Sequence, residues 1–223
     1  SSVGLGTGAL ANDDGTANNN TAVGTNALNA NTTGYRNMAS GYQALVSNTT
    51  GYQNTASGYK ALPSTTSGYR NTAHGCRALY SNTGDKNTAS GAYSLYYNTT
   101  GTENTAVGTY SLYANTTGNK NTASGYQALK SNITGYQNTA SGMNSLYSNT
   151  TGANNTATGY QSLYSITTGT KNTASGYTSE ASSATVDNEF TLGGSQISNL
   201  RCNDTSISSL SDERDKTNIT DLP

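Results

Sequence analysis

One block of the chain, Asn-Thr-Ala-Ser-Gly, comes back every seventeen residues, and so short a period leaves few folds open. It begins at Asn20, returns as Asn37-Met38-Ala39-Ser40-Gly41, and recurs at Asn54, Asn71, Asn87, Asn104, Asn121, Asn138, Asn155 and Asn172. The spacing is seventeen except between Asn71 and Asn87, where it is sixteen. A unit of this size cannot enclose a core of its own, so successive units must stack as coils that lean on their neighbours.

Within the unit one leucine holds a fixed place, at Leu28, Leu45, Leu62, Leu79, Leu95, Leu112, Leu129, Leu146 and Leu163. No leucine stands at helical spacing, and the unit is too short for a helix pair. Short Thr/Tyr/Val-bearing runs cut by Asn/Gly corners predict strands of about four to six residues. The corner reads Asn-Thr-Thr-Gly, and its glycines (Gly34, Gly51, Gly68 and onward) are expected at positive φ. The fold class that follows is all-β: a parallel β-solenoid, or β-roll, of ~17-residue coils rising about 4.8 Å each.

Hydrophobic residues are 32% of the chain, with no tryptophan and one phenylalanine. One leucine, one or two alanines and some threonine methyls per coil barely offset an ordering cost of about 1–2 kcal/mol per residue. This thin core favours an oligomer. The alanine column (Ala22, Ala39, Ala56 and onward), with the glycine two residues later, reads as a flat stripe for close approach of a second subunit, or equally as the inner wall of a tight coil. The seventeen tyrosines fall largely into columns after the block glycine (Tyr42, Tyr59, Tyr126, Tyr160, Tyr177) or after the leucine (Tyr80, Tyr96, Tyr113, Tyr147, Tyr164). Such columns predict ladders that cover and stiffen the rod, or a sugar-binding face.

Charge and scarcity exclude most chemistry. Eleven Lys+Arg against twelve Asp+Glu, without a basic run, give no signal for nucleic acid. Between Asn20 and Tyr177 the only acidic residues are Asp85 and Glu103, in different coils, so no carboxylate pair for glycan hydrolysis is expected. The lone histidine, His74, stands where other coils carry Ser, Val or Thr and reads as a tolerated substitution; no metal site and no cofactor are expected. Cys76 and Cys202 are too far apart for an intrachain disulfide, and free thiols fit a reducing compartment. Sequons at Asn31, Asn48, Asn98, Asn115, Asn132 and Asn149 are glycosylation candidates in a secreted chain, or simply β-corners. No apolar run approaches a membrane span, so no membrane insertion is expected. The opening Gly6-Thr7-Gly8-Ala9-Leu10 already looks like the middle of a coil, as in a segment of a longer protein.

The repeat fades near Tyr177. Phe190 and Leu192 alternate ahead of Gly193-Gly194 and suggest a strand pair turning there. Then follows Ser211-Asp212-Glu213-Arg214-Asp215-Lys216. The coils resemble the repeats of bacteriophage tail-fibre proteins and, more distantly, the β-roll heads of trimeric autotransporter adhesins. The passage from Phe190 to Leu222 resembles the entry into the intramolecular chaperone of tail fibres and tailspikes, the S74 peptidase family.

That resemblance implies a homotrimer, formed with two further copies of the chain, on an extracellular virion and engaged in host attachment through a surface glycan or protein receptor. It implies a β-roll shaft over 1–178, an interwoven β neck over 179–210 and the start of the chaperone domain over 211–223. It further implies self-cleavage at the Leu210–Ser211 bond, with Ser211 as nucleophile, Lys216 as its base and Asp212 beside them. The Ser211-Asp212 pair also reads as the N-cap of a following helix. Two other readings stand beside the fibre: an ice-binding solenoid, from the stacked threonines Thr21, Thr55, Thr72, Thr88 and Thr105, and a bacterial surface adhesin built from the same coil.

Overall fold

A computed structural model describes residues 1–15 and 18–195. Twelve three-residue strands make a single parallel sheet in chain order: β1 (Val3–Leu5), β2 (Thr21–Val23), β3 (Met38–Ser40), β4 (Thr55–Ser57), β5 (Thr72–His74), β6 (Thr88–Ser90), β7 (Thr105–Val107), β8 (Thr122–Ser124), β9 (Thr139–Ser141), β10 (Thr156–Thr158), β11 (Thr173–Ser175) and β12 (Phe190–Leu192). No described residue is helical. The chain is therefore a parallel β-solenoid of about eleven coils, roughly 50 Å long at the rise of a β-ladder. Register is kept residue for residue, Thr55 on Thr72, Ala56 on Ala73 and Ser57 on His74. The sixteen-residue step does not disturb it: Thr72 pairs with Thr88, because the shortened corner Asn82-Thr83-Gly84 absorbs the deletion.

The strands are shorter than the sequence suggests, and the reason is the backbone between them. Each repeat turns through left-handed residues that are not glycine: the leucine column has φ of 49–52°, and Gln43 and Arg36 both sit at 54°. An L-residue there costs about 1–2 kcal/mol and persists only where its surroundings over-determine it. Here backbone bonds run to both neighbouring coils. The N–H of Leu45 donates to Ala61 O at 3.1 Å, and that of Gln43 to Thr25 O at 2.9 Å. A ladder outside the strands thus fixes corners that would not hold in isolation.

Side chains sort cleanly inside and out. In every strand from β2 to β11 the central alanine is buried and its two neighbours face outward. The alanine stripe is thus the inner wall, not a contact surface, and closes on the leucine column, where Leu28 through Leu146 are completely buried. Burying one leucine contributes about 1.5–3 kcal/mol per coil. Phe190–Leu192 is a strand as expected, yet it pairs in parallel with β11 and extends the same sheet; the other arm of the hairpin expected at Gly193-Gly194 lies outside the described residues.

The polar part of the interior is mostly amide, with Ser94, Ser111, Ser145, Ser162 and Ser179 buried beside it. Two asparagine columns run the length of the rod, both sequestered from solvent. In the first, the side-chain Oδ1 of Asn20 accepts the N–H of Asn37 at 2.8 Å, and that of Asn37 accepts the N–H of Asn54 at 3.0 Å. The pattern continues to Asn172, which accepts from Glu189 at 2.9 Å. The second column passes Nδ2–H to the Oδ1 one coil earlier, as in Asn115 to Asn98 at 2.6 Å and Asn132 to Asn115 at 2.8 Å. Both columns also donate to the corner glycine carbonyl: Gly118 O accepts from Asn104 at 2.8 Å and from Asn115 at 3.0 Å. At the start of the second column Asp13 accepts Asn31 Nδ2–H at 2.8 Å, placing a carboxylate at the donor end of the ladder. A buried amide satisfied in this way rigidifies rather than destabilises.

Candidate binding surfaces

The asparagine ladders remove one expected modification. Asn31, Asn48, Asn98, Asn115, Asn132 and Asn149 are fully buried, and each directs its Nδ2 to a corner glycine carbonyl. No glycan fits on such a nitrogen in the folded rod, so the corner reading of the sequons is the correct one. The described residues contain no group of three His, Cys, Asp or Glu placed to hold a metal. His74 lies exposed on β5 in the column of Ser57 and Ser90. Cys76 is a free, half-buried thiol, while Cys202 lies outside the described residues, as do Ser211, Asp212 and Lys216. Among the described residues no helix is long and apolar enough to cross a membrane.

The outer face of the strands repeats in register from coil to coil. Its first column runs Thr21, Met38, Thr55, Thr72, Thr88 and onward, and its second Val23, Ser40, Ser57, His74, Ser90 and onward. Towards its first strands this face exposes Val3, Leu5, Val23 and Met38, and at β12 it exposes Phe190 and Leu192, the phenylalanine to 66%.

Tyrosines line the flanks. Behind the leucine, Tyr80, Tyr96 and Tyr113 stack with centroids 4.9 and 5.4 Å apart, and Tyr147 on Tyr164 at 5.0 Å. The Arg77 guanidinium lies about equally far from the Tyr59, Tyr80 and Tyr93 rings, at 5.9, 5.9 and 5.8 Å. Burial, then contact with Tyr97, pushes the Tyr113 phenol up to about 12, so it stays neutral. One ladder follows the corner glycine and escaped the sequence reading: Tyr35, Tyr52 and Tyr69, spaced 5.0 Å and within 4° of parallel.

Farther along that same column the residues become Asp85, Thr102, Asn119, Tyr136, Ala153 and Thr170. Some act as caps: Asp85 accepts the N–H of Tyr69 at 3.0 Å, and Asn119 Oδ1 accepts both the N–H and the hydroxyl of Thr102, at 2.7 and 3.1 Å. Tyr136 is left 49% exposed. An open cleft of about 310 Å³ sits beside it, lined by Thr102, Asn119, Lys120, Tyr136 and Gln137. The cleft was not legible from the repeat, because it arises where two coils depart from the tyrosine of their column.

Compared with known protein families, with curated proteins and with solved structures, the chain matches none.

Proposed function

We propose that the chain is a shaft segment of a homotrimeric viral tail fibre, holding host-binding parts away from the virion and meeting the host surface with three equivalent flanks. The observation that carries this reading is the strand face, which leaves Val3, Leu5, Val23, Met38, Phe190 and Leu192 in water on a rod with a one-leucine core. A second and third copy would cover them. The sequence resemblance supplies the rest: a fibre whose chaperone assembles three chains and then separates by attack of Ser211 on the Leu210–Ser211 bond, with Lys216 taking its proton.

Light scattering on the purified chain tests the assembly. A mass near three times 23.0 kDa supports the fibre, and a monomer at micromolar concentration rejects it. A denaturing gel of the full-length chain, with and without Ser211→Ala, tests the cleavage: shortening that persists in the variant rejects the role of Ser211.

The same face favours a second reading. Its threonine and serine columns stay in register from coil to coil, which is the repeat an ice-binding solenoid needs. Inhibition of ice recrystallisation by the monomeric chain, and its loss on Thr122→Arg, would bring that reading forward.

A further inference from the structure

We infer that the cleft over Tyr136 binds one pyranose ring of an acidic glycan. The Tyr35–Tyr52–Tyr69 stack establishes that this column accepts one ring per rung, at 5.0 Å. Tyr136 carries the ring, but the rung before it holds Asn119, whose side chain is drawn away onto Thr102 by two hydrogen bonds. Among the described residues Tyr136 has no stacked aromatic partner, and Ala153 in the following coil is buried and too short to cover it. A ring-sized position is open beside Tyr136, and its 310 Å³ lies at the small end of ligand sites.

The rim decides what ring fits. An aromatic ligand would ask for apolar walls, whereas here one aromatic face is surrounded by Thr102, Lys120 and Gln137. Neither Lys120 nor Gln137 uses its side chain in a hydrogen bond or ion pair among the described residues. A pyranose presents an apolar C–H face to the tyrosine and hydroxyls in the plane of the rim. Charge narrows the class further. Glu103, one coil before Lys120 in its column, is held by Lys86 at 3.6 Å, which leaves the Lys120 ammonium to pair with a sugar carboxylate. One stacked ring with a few rim bonds gives a Kd on the order of 1 mM, raised to useful strength only by several copies. The source of the sugar rests on the attachment reading; the cleft itself does not.

Saturation-transfer NMR on the intact chain, with methyl β-D-glucuronide and methyl β-D-glucoside as probes, tests the assignment. Transfer to the ring C–H protons of both is expected, with the glucuronide about 3–10-fold tighter at low salt and that advantage lost at high salt. Tyr136→Ala should abolish transfer, Tyr136→Phe should retain it, and Tyr52→Ala, in the closed ladder, should leave it unchanged. Lys120→Gln should remove only the preference for the glucuronide. No transfer from either sugar, or transfer indifferent to Tyr136→Ala, overturns the site; equal binding of the two sugars overturns its acidic preference. A trimer with a silent cleft rejects this inference alone, and a monomer that binds the sugar rejects the fibre alone.

Discussion

Thr65 interrupts the second asparagine column, and the two polar atoms at the break are left without partners: Asn48 Oδ1 and Thr65 Oγ1, both buried. The same happens at the far end, where Ile166 follows Asn149 and offers no donor to its Oδ1. A buried unsatisfied acceptor costs about 1–3 kcal/mol. Thr65→Asn restores the Nδ2 donor that Asn48 lacks and adds a bond to Gly68 O, as Asn48 makes to Gly51. It should raise stability by about 1 kcal/mol, read as a higher urea midpoint at unchanged slope; an unchanged or lowered midpoint would mean that the ladder is not cooperative there. The period of these asparagines was plain in the sequence, but their burial was not, since Asn-Thr-Thr-Gly serves equally well as an exposed turn. The corner glycines teach the same lesson. They were expected at positive φ, yet the positive values belong to the block glycines, such as Gly91 at 140° and Gly125 at 141°. Corner glycines are required for space: a Cβ on Gly101 would stand 2.5 Å from Gly118 O. Sequence reveals that only glycine is tolerated, while the choice between torsion and crowding needs the neighbouring coil.

At the scale of the coil, the last described turn caps with two carboxylates, one of which, Glu189, stands in the column that the shaft fills with buried asparagine. Asp187 accepts the N–H and hydroxyl of Thr170 at 2.6 and 2.8 Å, and these bonds hold its carboxyl below the ordinary 3.8. Glu189 accepts from the Ser182 hydroxyl at 2.6 Å and from its N–H, and lies below 4.5 for that reason. A depressed folded pKa means stability that is present above the unfolded value and lost as pH falls through the folded one. Glu180 has the opposite sign: burial pushes it up, so protonation relieves a penalty and comes first on acidification. The hydrogen-exchange protection factors over residues 180–192 should therefore rise slightly between pH 6 and the ordinary glutamate range, then fall below it. Residues 138–158, capped by the neutral Asn121 and Asn138, should show neither change. Equal acid response in both segments would reject the capping argument. That this coil carried a strand was legible from Phe190 and Leu192, whereas its parallel pairing with β11 was not: alternation fixes which residues share a face, not which strand lies alongside.

For the whole molecule, the architecture was readable because the period specifies it, and the binding surface was not, because the cleft depends on departures from the period. A rod built this way has contacts only between adjacent coils, so its stability is close to a sum of coil and interface contributions. Removing residues 138–154 takes out one full repeat and joins Gln137 to Asn155 with every column intact. The chain should remain a cooperative solenoid about 4.8 Å shorter, with far-UV circular dichroism per residue unchanged. Stability should fall only by one coil's share, with no relief at the end of the ladder, because Asn132 Oδ1, which accepts from Asn149 in the intact rod, then faces Ile166 in its place. Leu112→Asp makes the contrasting change: it keeps all coils but places a carboxylate at a fully buried position in the middle of the leucine column. With no lysine or arginine buried among the described residues, the charge should cost more than about 3 kcal/mol and break the rod into two weaker halves. Limited proteolysis distinguishes the two variants: the deletion should resist as a single body, and Leu112→Asp should be cut on either side of residue 112. If the deletion unfolds while Leu112→Asp resists, stability does not reside in the stacking of equivalent coils.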